Sequence, residues 1–119
     1  MSTKLIMVVE DADDTRDLIR IGLEAAGYRV ISYQDSESAL SDFRNHHPDL
    51  ITIDVMIPGS NGIALLKEIR AIDENIPIVM VSAWGDFRQD FNVWSSNAYV
   101  VKSVDLIHDL LSTIQSILK

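Results

Sequence analysis

Five short, predominantly apolar runs, each followed by a longer segment of helical period, constrain this chain more than any other feature. The runs occupy residues 5–9, 30–33, 50–53, 78–81 and 99–101. Short apolar runs of this kind read as strands, and near-continuous apolarity marks strands covered on both faces. Between them, apolar residues recur at intervals of three and four: Leu18, Ile19, Gly22, Leu23 and Ala26, then Ala39, Leu40 and Phe43, then Leu65, Leu66 and Ile69. The last segment carries Ile107, Leu110, Leu111, Ile114 and Ile117 on one stripe, and a polar, aromatic helix candidate lies between residues 84 and 98. Gly27 stands where the first helix should stop, and the turn residues 58–62 offer Ser60 or Asn61 as a cap for the third. Strict alternation predicts an α/β fold: a doubly wound parallel sheet of five strands with helices on both faces. With 119 residues and no repeat or linker-like stretch, the span 1–119 reads as one domain.

In a parallel sheet every strand delivers its C-terminal end to the same edge, and ligands bind there, where strand order reverses. On that edge stand Glu10 and Asp11 after the first strand, Asp54 after the third, Ser82 after the fourth and Lys102 after the fifth. The second strand ends at Tyr33 and Gln34, which add no comparable group. Two carboxylates about 4 Å apart repel by roughly 4 kcal/mol at an effective dielectric of about 20. A cluster of three therefore calls for a cation or a proton. Hard oxygen donors suit Mg2+, or Mn2+ in its place. A free carboxylate can attack phosphorus to form an acyl phosphate. The transferring group then needs positive charge on its oxygens and a hydroxyl donor nearby. This edge supplies every part.

The formal net charge of −8 argues against nucleic acid as a direct ligand, since a phosphate backbone is held by clustered Lys and Arg. There is no cysteine, so no disulfide framework or thiolate chemistry enters. The apolar run 5–9 is too short for a signal peptide or a membrane span, and no later stretch approaches that length. A cytoplasmic protein is expected.

Taken together, Glu10-Asp11, Asp54 followed by Val-Met-Ile-Pro-Gly, Ser82-Ala83, and Tyr99-Val-Val-Lys102 resemble the motifs of response-regulator receiver domains. The resemblance covers the whole chain and implies the flavodoxin-like strand order 2-1-3-4-5. It implies that Asp54 accepts a phosphoryl group from the phosphohistidine of a sensor histidine kinase or phosphotransfer protein, in a Mg2+-dependent reaction. Asp11 and Asp54 would ligate the metal with the Met56 carbonyl, and Glu10 would act through water. Lys102 would pair with the phosphate, Ser82 would donate to it, and Tyr99 would turn inward as part of the switch. Such a domain is a switch rather than an enzyme in the usual sense, catalysing only its own phosphorylation and dephosphorylation. It would signal to a downstream protein through the surface made by the fourth helix, fifth strand and last helix. These 119 residues hold no output domain after the last helix, so a stand-alone receiver, or one excised from a longer protein, is expected.

Three features depart from the family pattern. Ser103 follows Lys102 where the family usually has proline, the stretch 84–98 is slightly short, and Ser95-Ser96-Asn97 replaces the usual Ala-Gly. A cis bond costs about 2.5–4 kcal/mol before a residue other than proline, so the Lys102–Ser103 bond should be trans. Ser103 would then be free to cap the last helix.

Plainer readings exist for single residues. Glu10 and Asp11 could be the acidic start of the first helix. Tyr99 could be an ordinary half-buried strand aromatic. The aromatics Trp84, Phe87, Phe91 and Trp94 could be core or an exposed docking face. Adjacent His46 and His47 share no face and suggest no metal site. Two other functions on the same fold fare worse. A flavodoxin needs a hydroxyl- and Gly-rich first loop, which the acidic residues 10–14 would defeat. A haloacid-dehalogenase-type phosphatase wants a second Asp where Met56 stands.

Overall fold

The computed structural model describes residues 3–57, 60–83 and 96–118. Strands β1 (Leu5–Val9), β2 (Arg29–Tyr33), β3 (Leu50–Asp54), β4 (Ile78–Ser82) and β5 (Ala98–Val101) form one sheet, ordered β2-β1-β3-β4-β5 with every pair parallel. The helices are α1 (Asp13–Ala25), α2 (Ser36–His46), α3 (Gly62–Ile72) and α4 (Leu106–Ile117). A two-residue antiparallel pair, Met56–Ile57 with Ser60–Asn61, closes the turn between β3 and α3. The expected strand order is thus the observed one, and strand order reverses around β1 and β3. The turn residues Pro58 and Gly59, the helix candidate with Trp84, Phe87, Phe91 and Trp94, and Ser95 lie outside the described residues.

Alternation along the buried strands feeds two apolar layers. Met7 and Val9, Ile51 and Ile53, and Ile78 and Met80 face one way, against Ala39 and Phe43 of α2 and Leu65, Leu66 and Ile69 of α3. Ile6, Val8, Leu50, Val79 and Val81 face the other, against Ile19 and Leu23 of α1 and Leu110 and Ile114 of α4. Both layers exclude solvent almost fully, which is why the strands carry no polar alternation.

Local signals act as their chemistry demands. Gly27 sits at φ 99° just past α1, and Gly27 N–H and Tyr28 N–H return to the carbonyls of Glu24 and Leu23. That is a Schellman stop, built on the residue that tolerates a left-handed backbone. Asn61, not Ser60, caps α3: its Oδ1 accepts from the Ala64 N–H at 2.7 Å. Two expected core positions differ: Ala26, the residue just past α1, is exposed, and so is Leu18. Leu18 is 54% exposed, because the buried line of α1 runs through Ile19 and Leu23 and leaves Leu18 on its flank.

Candidate functional site

β1 ends at Val9 and α1 begins at Asp13, so Glu10 and Asp11 lie in the turn on the sheet edge and not in the helix. Glu10 is tethered three times. Its N–H donates to the Tyr33 carbonyl at 3.0 Å, its carbonyl accepts from Arg16 Nη1 at 2.9 Å, and its Oε2 accepts from the Ala12 N–H at 3.2 Å. Its other oxygen, Oε1, is buried and accepts no well-aligned hydrogen bond among the described residues. Lys102 Nζ stands 2.8 Å from that oxygen as an ion pair.

Asp54 is the last residue of β3, held in the strand and not in the loop that follows, and it is almost fully buried. Its Oδ2 accepts from Lys102 Nζ at 3.0 Å and its Oδ1 from the Met56 N–H at 3.1 Å. The Lys102 ammonium therefore lies between two buried carboxylates. Burial pulls its pKa down, but the hydrogen bonds and charges of Glu10 and Asp54 outweigh this and raise it. Burial pushes Glu10 up to about 7; proximity to Asp54 adds to the rise and Lys102 opposes it. Positive charge is thus scarce at this edge relative to the carboxylates present.

Glu10, Asp11 and Asp54 each offer a carboxylate oxygen within 4.8 Å of the others. Three carboxylates that share a single ammonium offer hard oxygen donors that fit a divalent cation such as Mg2+. Asp11 is more open to solvent than its two neighbours.

Of the remaining expected residues, Ser82 and Met56 fall on the same edge, while Tyr99 lies within β5 opposite Met80. Ser82 ends β4, is fully buried, and its carbonyl accepts from the Lys102 N–H at 2.7 Å, so the two stand side by side. Met56 lies two residues past Asp54 with its side chain 57% exposed. Tyr99 is half-buried in β5 and packs against the apolar layer shared with α2 and α3. No cis peptide occurs among the described residues, so the Lys102–Ser103 bond is trans, as the missing proline requires, and Lys102 still reaches both carboxylates. Ser103 Oγ accepts from the Asp105 N–H at 3.1 Å, one turn ahead of α4 and not at its first turn.

Two residues matter here that sequence reasoning did not single out. Gly62 opens α3 so close to β3 that a Cβ there would sit 2.1 Å from the Asp54 carbonyl oxygen, while its N–H donates to the Val55 carbonyl at 2.7 Å. Arg16 gathers the carbonyls of both Glu10 and Asp11.

A family model described as the response regulator receiver domain matches residues 6–115. The chain belongs to that family. This receiver domain, of the two-component signalling kind, is 40% identical over 80 residues to the alkaline phosphatase synthesis transcriptional regulatory protein PhoP of Bacillus subtilis, covering 67% of this chain and 33% of that protein. It is 37% identical over 86 residues to the probable transcriptional regulator ycf27 of Cyanophora paradoxa, covering 72% and 36%. The chain thus spans about a third of the length of these curated relatives. Among solved structures it is similar to the response regulator TrrA of Thermotoga maritima in complex with Mg2+–BeF, with TM-score 0.92, 30% identity and coverage of 97% and 99%. It is also similar to a complex of the histidine kinase ThkA with TrrA, with TM-score 0.91 and 30% identity over 98% of this chain and 100% of that one. No described helix of the receiver domain is long and apolar enough to cross a membrane.

Proposed function

We propose that this receiver domain is a phosphoacceptor switch in which Asp54 is the nucleophile. The observation that carries the reading is the Lys102 ammonium held between Asp54 and Glu10, beside three carboxylates spaced to share one cation. A carboxylate oxygen of Asp54 would attack the phosphorus of a phosphohistidine on a partner kinase or phosphotransfer protein. The P–N bond breaks, a P–O bond forms, and the leaving imidazole nitrogen takes up a proton. Asp11 and Asp54, with the Met56 carbonyl, would hold Mg2+ or Mn2+, and Glu10 would act through water. When bound, the metal supplies positive charge to the phosphoryl oxygens. Lys102 would support the same oxygens, and Ser82 would donate to the product phosphate. Two structures of one relative, TrrA with Mg2+–BeF and TrrA with the histidine kinase ThkA, support this assignment.

The domain would catalyse only its own phosphorylation and dephosphorylation. Its output would leave by protein contact through β5, α4 and the segment 84–95, which lies outside the described residues, with Tyr99 coupling that surface to the site. A single receiver unit over 1–119 acting in the cytoplasm fits the acidic, cysteine-free sequence. Incubation with acetyl phosphate and Mg2+ should add one phosphoryl group by intact mass, released by hydroxylamine as an acyl phosphate is. A hydroxylamine-stable adduct would mean that a hydroxyl, not a carboxylate, had been modified.

The donor must reach Asp54 over this edge, and one apolar groove borders it. Leu18, Val104 and Ile107 line that groove together with Lys102, and Leu18 and Val104 are exposed. The donor's own apolar surface would seat there. Leu18→Asp should then slow phosphotransfer from a phosphorylated kinase about tenfold while leaving labelling by acetyl phosphate unchanged. Equal slowing with both donors would show that the groove serves the site and not the partner.

A further inference from the structure

Arg16 turns its side chain back over the turn that carries Glu10 and Asp11. Its Nη1 donates to the Glu10 carbonyl at 2.9 Å and to the Asp11 carbonyl at 3.3 Å, and its Nη2 pairs with the Asp13 carboxylate. The side chain is only 18% exposed. These two carbonyls belong to neither β1 nor α1: the first backbone bond of the helix runs from the Arg16 N–H to the Ala12 carbonyl, one residue later. Main-chain carbonyls in a partly buried turn need a partner; here one guanidinium nitrogen serves both while the second is held by Asp13, a fixed two-nitrogen fork that the single nitrogen of an ammonium cannot reproduce. A carbonyl's direction fixes its peptide plane, and the planes after Glu10 and Asp11 set where those side chains leave the chain.

We infer that Arg16 is a positioning residue for the acidic pair, its guanidinium clasping both carbonyls so that the Glu10 and Asp11 carboxylates face Asp54 and share one cation with it. The inference rests on the metal site proposed above. Charge alone argues the other way, because Arg16 is a cation beside a cation site. Deleting it would tighten Mg2+ binding if its charge were all that counted. The sign of the effect therefore separates positioning from electrostatics.

The test is Mg2+ titration by calorimetry of the intact wild type, Arg16→Ala, Arg16→Lys and Asp11→Ala, with urea midpoints measured beside each. Loss of a residue that orients metal ligands typically weakens affinity about 10–100-fold, so Arg16→Ala should bind Mg2+ at least about tenfold more weakly. Arg16→Lys keeps the charge but loses the fork and should fall between Arg16→Ala and wild type. A purely structural role would lower the urea midpoint and leave the affinity of the folded protein unchanged. Unchanged or tighter binding by folded Arg16→Ala overturns the inference. If Arg16→Ala does not fold, Arg16→Lys decides, and wild-type affinity in that variant overturns it. The Asp11→Ala control keeps the two failures apart. Wild-type affinity there refutes the metal site itself, whereas lost binding there with full binding in the Arg16 variants refutes only the role given to Arg16.

Discussion

In excess EDTA, labelling of the domain by acetyl phosphate is expected to fall about a hundredfold or more, since a bound divalent ion contributes several kcal/mol to the stabilisation of transferring phosphoryl oxygens. Three carboxylates converge within 4.8 Å, and one ammonium, Lys102, is shared between two of them. An anionic phosphoryl donor entering this edge without further positive charge would meet net repulsion. The same logic ranks the acids. Glu10 has Oε2 bound by the Ala12 N–H and Oε1 facing Lys102, so its oxygens are largely committed. Asp11 is the more open group and the proposed direct ligand. Asp11→Ala should therefore weaken Mg2+ binding and labelling far more than Glu10→Ala. Full labelling in EDTA, or equal loss in the two variants, would contradict this division of roles.

Gly62→Ala should be among the most damaging single substitutions in the domain, costing about 3 kcal/mol or more. The added Cβ would lie 2.1 Å from the Asp54 carbonyl oxygen, 2.8 Å from Ile53 Cγ2 and 2.9 Å from the Asp54 carbonyl carbon. Two of these atoms are backbone in a strand paired on both sides, so a side-chain rotation cannot relieve the overlap. Either α3 lifts off β3 and loses the bond from the Gly62 N–H to the Val55 carbonyl, or β3 shifts and carries Asp54 with it. Both outcomes reach the site, so whatever fraction stays folded should also label more slowly. Urea unfolding of Gly62→Ala measures the first effect. A change below about 0.5 kcal/mol would show that α3 does not approach β3 so closely.

Gly62 also shows where sequence reasoning stops. It closes a run of turn residues at 58–62, where glycine is ordinary, and nothing in that run distinguishes a turn glycine from one pressed against another strand's backbone. Arg16 was hidden for a related reason: a long side chain near a helix start can reach many acceptors, and main-chain carbonyls leave no trace in the sequence. Leu18 looked like core because its spacing matches Gly22, yet the helix face that fits the sheet runs through Ile19 and Leu23. The strand ends were legible because short, predominantly apolar runs mark them, and a parallel sheet then sends Glu10, Asp11, Asp54, Ser82 and Lys102 to one edge whatever the details of packing. The trans bond at Lys102–Ser103 was legible for a simpler reason, the cost of cis without proline.

The central claim is that Asp54 alone receives the phosphoryl group, and intact mass of wild type and Asp54→Asn after acetyl phosphate and Mg2+ tests it most directly. The amide introduced by Asp54→Asn would keep the size and much of the hydrogen bonding of the carboxylate but could not attack phosphorus as a carboxylate does. Wild type should gain the mass of one phosphoryl group, and Asp54→Asn none. A gain in Asp54→Asn equal to that of wild type would contradict the account.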